Sequence, residues 1–295
     1  TANGTVTGSN QYVGGLIGHA DGSGGRITIT DAHADGDVTE ASGNNNDHVG
    51  GLIGELTGAG DVTDVSATGT VRANGSEVGA LVGRLDHANN GNYELKNASA
   101  TGTVTTGGNY VGGLVGRHRY AKAVTNASAT ADVTTDGNYA GGLFGYSDST
   151  TVNTSSAIGA VTTDGNQVGG LIGNFEGGTI ADSTATGDVK SSSNGYVGGL
   201  VGYYDDNSGA DSAIKNVSAT GDVSGSGRYV GGLIGQSQTT DNDGTTITEA
   251  HAAGDVTEAS GQSNNEVGGL IGVIHSAGDI TDVSATGAVR ANGSE

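Results

Sequence analysis

The 295-residue chain predicts an all-β fold, a parallel β-solenoid of about nine coils with 28–37 residues per coil. Three observations carry that expectation. The stretch Val-Gly-Gly-Leu-Ile-Gly stands at residues 13–18, 49–54 and 230–235, and near-copies begin at Val78, Val111, Ala140, Val168, Val197 and Val267. Its return about every 30 residues is a repeat signal that precedes any local reading. A second motif, Ala-x-Gly-x-Val, alternates with it from residues 2–6 to residues 285–289. No stretch shows a helical period.

Each element of the coil has its own reason. In the second motif, small or apolar residues alternate with Ser, Thr and Asp, as in Val65-Ser66-Ala67-Thr68-Gly69-Thr70-Val71. A period of two describes a strand with one buried face, so the odd positions here point inward. An aliphatic residue comes three positions before this strand: Ile29, Val62, Leu95, Val124, Val152, Ile180, Ile214, Ile247 and Ile280. Between the two, most copies carry Asp or Asn, which form turns. The coil therefore reads as two or three short strands joined by turns. A propeller blade needs roughly 40 residues or more.

The first motif holds Leu at its fourth position in every copy: Leu16, Leu52, Leu81, Leu114, Leu143, Leu171, Leu200, Leu233 and Leu270. Strict alternation would place this Leu in water. Either the Gly pair makes a bend that turns Leu inward, or the Leu stripe packs against a lateral partner. A lone coil buries too little to offset its ordering entropy, so coils must stack and share a core. Nine coils at about 4.8 Å each make a rod about 43 Å long. The usual hand of a parallel crossover makes the coil right-handed.

A longer period lies on top of the short one. Residues 29–77 return as 247–295, and residues 2–18 as 219–235. Residues 1–295 thus read as one continuous solenoid domain in which 218–295 begin a second copy of a unit of about 218 residues, first seen at 1–77. The expected context is a longer tandem array, or ends that meet other subunits. Insertions follow the first motif at residues 19–26, 84–94, 203–213 and 236–246, and precede it at 40–48 and 258–266. On a solenoid such loops fall on its edges, where binding chemistry gathers.

Composition narrows the function. The chain has 58 Gly and no Pro, so Gly, Asn and Asp make its turns, and collagen is excluded. It has no Cys, which excludes disulfides and Cys-based metal or redox sites. Lys and Arg total 11 against 32 Asp and Glu, a formal charge of −21. Such a chain does not seek nucleic acid or an anionic membrane. In about 1 M salt its self-repulsion is screened beyond about 3 Å. No apolar run approaches the roughly 20 residues of a membrane helix. No signal peptide or initiator Met is present, so the chain reads as mature or as an excerpt.

The residues Gly15-Leu16-Ile17-Gly18 and their eight counterparts resemble the GLUG-motif repeats, and the resemblance covers essentially the whole chain. It implies a large secreted or cell-surface, adhesin-like protein. Abundant Asp with scarce Lys further resembles proteins of salt-loving archaea. The family supplies no catalytic residues, and no HExxH peptidase motif occurs here.

Several residue sets are candidates for chemistry. Asn-x-Ser/Thr sequons stand at Asn3, Asn74, Asn97, Asn126, Asn153, Asn216 and Asn292. Asn97, Asn126, Asn153 and Asn216 are expected at one coil position, as glycan acceptors or as an Asn turn ladder. Asp recurs at the outward fourth position of the strand, with Asp188, Asp222 and Asp255 on consecutive coils. Stacked carboxylates repel, and Ca²⁺ or another cation would relieve them, unless solvent and salt suffice. Loop residues Asp205, Asn207 and Asp211, or Asp241 and Asp243, offer alternating oxygens of the kind Ca²⁺ takes.

Tyr precedes the first motif at Tyr12, Tyr110, Tyr139, Tyr196 and Tyr229. A stacked Tyr platform binds sugar rings or packs a corner. Arg117-His118-Arg119-Tyr120 is the sole basic cluster, read as an exposed corner or a seat for an anionic glycan.

The leading expectation is an extracellular structural and adhesive rod, with no enzymatic activity and no organic cofactor. Its expected partners are further copies of itself, end to end or laterally, and cell-surface glycans. The second reading is a carbohydrate-binding adhesin module using Tyr and corner loops. An ice-binding surface of Ser and Thr columns, or a polysaccharide-degrading β-helix, comes third.

Overall fold

The computed structural model describes residues 1–9, 11–41, 48–88, 92–148, 151–206, 212–239, 244–259, 265–275 and 277–292. Among these residues there are 37 strands and no helix. Every strand pairing is parallel, and the strands fall into a 28-stranded and a nine-stranded sheet. The fold is an all-β parallel β-solenoid. The nine copies of the first motif form the nine-stranded sheet, which makes about eight turns from first copy to last.

A central coil shows the construction. Val111–Gly112 lies in the smaller sheet, and Val115–Arg119, Ala123–Ala129 and Asp132–Thr135 lie in the larger one. The next coil repeats these positions in register: Val111 pairs with Ala140, Val115 with Phe144, Val124 with Val152 and Val133 with Val161. The coil thus has four strand positions where two or three were expected. The additional one is the Val-Gly pair, too short for any alternation to be visible in sequence.

The Gly pair makes the bend. Leu52, Leu81, Leu114, Leu143, Leu171, Leu200 and Leu233 are each 0% exposed. They stand in one file, with the amide of Leu114 donating to the carbonyl of Leu143 and that of Leu143 to Leu171. Leu16 on the first coil is 40% exposed, and Leu270 on the last is partly buried against the core. The corner between the two sheets turns Leu inward, so the stripe packs against the chain's own core. At the first position of the pair only Gly fits: a Cβ on Gly112 would lie 2.0 Å from the Val115 carbonyl oxygen. The second position admits Ala, as Ala80 shows in its own coil.

The Ala and Val of the Ala-x-Gly-x-Val strand face inward as expected, with Ala98, Ala100 and Val104 buried and Thr101 exposed, but the Gly between them does not: Gly102 is exposed at a φ of 122°. The aliphatic residue three positions earlier is buried from Val62 to Ile247. The turn between them takes a left-handed conformation, with positive φ at Asp64, Asn97, Asn126, Thr154, Asp182 and Asn216. Asn and Asp tolerate this region better than other non-Gly residues. Asn153 does not belong to that column. It pairs with Thr125 and Ala181, and Thr154 occupies the turn position. The Asn and its neighbour have exchanged places in this coil, which spacing from the following strand shows and the sequon alone does not.

One inward column mixes apolar and polar residues. Register carries it through Leu56, Leu85, His118, Ser147, Phe175, Tyr204 and Ser237. His118 is therefore core, and the basic cluster is not a single exposed corner. Alternation sends Arg117 and Arg119 to one side and His118 to the other. The His118 ring stacks on Phe144 at 5.1 Å between centroids and meets His87 edge-on at 5.5 Å. Burial pushes His118 well below the usual imidazole range and His87 down to about 4, so both rings are neutral at pH 7.

Candidate functional site: a tyrosine and amide corner

The first motif folds back on itself, and this brings together the residues that flank it. The residue before Val and the residue after the last Gly are seven apart: Tyr139 and Tyr146, Gln167 and Asn174, Tyr196 and Tyr203. The amide of Asn174 donates to the Gln167 side-chain oxygen at 3.1 Å, so the flanks touch across the bend. Stacking the coils converts them into two adjacent columns. One runs Tyr110, Tyr139, Gln167, Tyr196, Tyr229; the other runs Arg117, Tyr146, Asn174, Tyr203, Gln236.

The rings of the first column stack. Tyr110 and Tyr139 are 4.5 Å apart at 4°, and Tyr196 and Tyr229 are 5.5 Å apart at 11°. Tyr110 meets Tyr146 edge-on, and the Arg117 guanidinium lies over both rings. The Tyr146 hydroxyl donates to Glu176 at 2.7 Å; burial first, then that carboxylate, raise its pKa. Burial likewise holds Tyr203 up, to about 12. These phenols are neutral donors at any ordinary pH.

Beside the tyrosines runs a column of amides. Asn138 donates from its backbone and its side chain to Asn109 Oδ1, and Asn166 does the same to Asn138 Oδ1. Two clefts open along this corner. One, of about 410 Å³, is lined by His48, Ser76, Glu77, Asn109 and Tyr110. The other, of about 380 Å³, is lined by Asn138, Tyr139, Asn166, Gln167, Asn194 and Tyr196.

Towards the first coils the same two columns become ionic. His48 lies between Glu55 (3.4 Å) and Glu77 (3.2 Å), and His19 reaches Glu55 at 2.8 Å. Arg117 pairs with Glu77 at 3.0 Å, while Arg84 and Arg119 share Asp86 at 2.7 and 2.9 Å. Burial raises the Glu55 and Asp86 carboxyls, but the hydrogen bond from His48 with the nearby Arg84 at Glu55, and the Arg119 and Arg84 guanidiniums at Asp86, outweigh it and hold both below their ordinary range. The two arginines of the basic cluster are thus committed to carboxylates of this chain.

The other candidate residues are placed as follows. Asp188, Asp222 and Asp255 stand on successive coils, and each carboxylate accepts the backbone N–H one coil further on, from Asp222, Asp255 and Ala288 at 2.8–2.9 Å. Asp255 also meets Arg290 at 3.0 Å. These bonds give each stacked carboxylate a partner within the chain, beside the two expectations of a bound cation or of solvent and salt. Burial, then Glu176, push Asp205 above the usual carboxylate range. Asn207, Asp211, Asp241 and Asp243 lie outside the described residues. Among the described residues no group of three or more His, Cys, Asp or Glu is placed to hold a metal ion.

Of the sequons, Asn3, Asn74, Asn126, Asn216 and Asn292 are exposed, and Asn97 and Asn153 are half-buried. The side-chain amides of Asn97, Asn126 and Asn216 donate to Asp64, Asn97 and Asp182 at 2.6–2.8 Å, which makes an amide ladder at the turn.

Taken together, coil, core and corner define a parallel β-solenoid built from glycine-cornered repeats that present side-chain columns. The GLUG motif model matches residues 9–39, 45–72, 107–134, 164–190, 193–224 and 263–290. The chain belongs to the GLUG-motif family. It is also similar to Halomucin of Haloquadratum walsbyi (strain DSM 16790 / HBSQ001), 48% identical over 93 residues. That match covers 29% of this chain and 1% of the relative. No solved structure matches the chain.

Proposed function

We propose that this chain is a rod segment of an extracellular surface fibre, with adhesive contact as its work and no catalytic turnover. The observation that carries the reading is continuity: one Leu file and one hydrogen-bonded ladder run from the first motif to the last. Such a core resists extension along its axis because every coil is bonded to both neighbours. The charge of −21 supports a chain that stays dispersed in concentrated salt. The partial match to a halomucin supports a place outside the cell, since the name denotes a mucin of a salt-dwelling organism. Further copies of the chain, end to end or laterally, are its expected partners, together with surface glycans. Glycosylation of the exposed sequons fits the same setting.

Immunogold labelling of intact cells with an antibody to this segment tests the reading. Label on filaments or coats outside the envelope is the expected result. Label confined to the cytoplasm of sectioned cells would refute it.

A further inference from the structure

We propose that the solenoid carries a binding slot for a neutral pyranose sugar on the coil of Gln167 and Asn174. The proposal deepens the surface reading by naming what the corner holds, and its test does not depend on where the protein resides.

The slot arises from a double substitution. Tyrosine occupies both flanks of the motif on the coil before, Tyr139 and Tyr146, and on the coil after, Tyr196 and Tyr203. On the coil between them both positions are amides. Elsewhere along the first column Tyr rings stack on one another and cover their faces, as Tyr110 does on Tyr139. At Gln167 the stack is interrupted. The Gln167 oxygen is drawn to the Asn174 amide, and a cleft of about 380 Å³ lies over this coil with Tyr139 and Tyr196 among its walls. Its size falls in the range of small-ligand sites.

The lining matches one class of ligand. Tyr139 and Tyr196 offer aromatic surface suited to the C–H faces of a sugar ring. Asn138, Asn166 and Asn194 line the same cleft and supply amide donors and acceptors for hydroxyls. No charged side chain lines it, on a chain whose formal charge is −21. A neutral sugar fits that lining better than an anionic one. A separate observation marks the coil as unfinished. Asn174 is 5% exposed, and its Oδ1 is buried without a hydrogen-bond partner. Leaving such an acceptor unmet is costly, and it lies behind the cleft wall on the same coil, where the Asn174 amide holds the lining residue Gln167. The corner is also built differently here. The segment from Val189 to Val197 is one residue longer than its counterpart from Val161 to Val168, and the extra length places Asn194 and Gly195 at the cleft.

The test uses the purified chain, which has no Trp, so its intrinsic fluorescence comes from its 10 Tyr. Glucose, galactose, mannose, N-acetylglucosamine and their short linear oligomers are titrated in, with glucuronate as the anionic control. Tyr fluorescence and saturation-transfer NMR report binding. The expected result is saturable binding of at least one neutral sugar, with glucuronate weaker. Gln167→Tyr, which completes the stack, should weaken binding by roughly tenfold or more, as should Tyr196→Ala, while circular dichroism stays unchanged. No binding by any neutral sugar of the panel overturns the proposal. So does binding that persists unchanged in both folded variants. Either result leaves the rod reading standing, because that reading rests on labelling of cells.

Discussion

Leu143→Ala is the sharpest test of the stacked core. Leu143 is 0% exposed and stands mid-file between Leu114 and Leu171. Truncation removes about three buried carbons, worth roughly 2.4 kcal/mol at about 0.8 kcal/mol each. The coils above and below are each held at fixed spacing by backbone ladders to this one and cannot close the gap, so a cavity penalty adds to this. A total of about 3–4 kcal/mol is expected, inside the usual span for such changes. Leu16→Ala is the matched control. Leu16 is 40% exposed on the first coil, so its transfer loss falls to about 1–1.5 kcal/mol, with little cavity cost. A terminal coil also frays independently, which confines the damage to that end. Urea unfolding in molar salt, followed by far-UV circular dichroism, measures both. A shift of the midpoint for Leu143→Ala at least twice that for Leu16→Ala is expected. Equal shifts would refute the in-register file.

Three further outcomes follow from particular contacts. Gly112→Ala should fail to fold, or lose more than about 3 kcal/mol, because its Cβ meets the Val115 backbone oxygen at 2.0 Å, whereas Gly107→Ala meets nothing within 4 Å and should change urea stability by less than about 0.5 kcal/mol. Because His87 is held at about 4 and His118 is also depressed, their contribution to stability is complete above the ordinary 6.5 and is lost as pH falls from there towards 4, at up to about 1.4 kcal/mol per unit per ring; His118→Leu, matching Leu85 in its column, should flatten that slope in urea titrations run at stepped pH. Asp222→Asn keeps an oxygen to accept the Asp255 N–H but removes the middle charge of a stacked trio; its melting temperature should exceed the parent's in low salt and equal it near 1 M.

Proposals and core alike divide into what the chain announces and what folding creates. The repeat, its period, the inward Ala and Val of the strand and the Asn or Asp turn were all legible in sequence, while the left-handed conformation of that turn was not. Each is a local regularity, repeated often enough to be distinguished from chance. The inward turn of Leu was legible only as a choice between two readings, because it depends on a backbone approach at Gly112 that no single strand reveals. The tyrosines before the motif were visible, but Tyr146, Asn174 and Tyr203 were not connected with them. The signal was present as a constant offset of seven residues across the bend, and it has meaning only once the bend is known to fold flat. His118 shows the converse: three consecutive charged or basic residues looked like one surface feature until alternation sent the middle one inward.

A regular repeat by itself determines that this chain coils and which residues of each strand share a face, because a period of two is a property of a single strand. Tertiary structure alone decided which outward side chains become neighbours. Parallel stacking joins residues about 30 positions apart, so the Asp carboxylates found backbone N–H groups and the Gln167–Asn174 coil became a gap in an aromatic wall. Those juxtapositions depend on register between coils, and register is set by the packed core rather than by the surface residues it brings together.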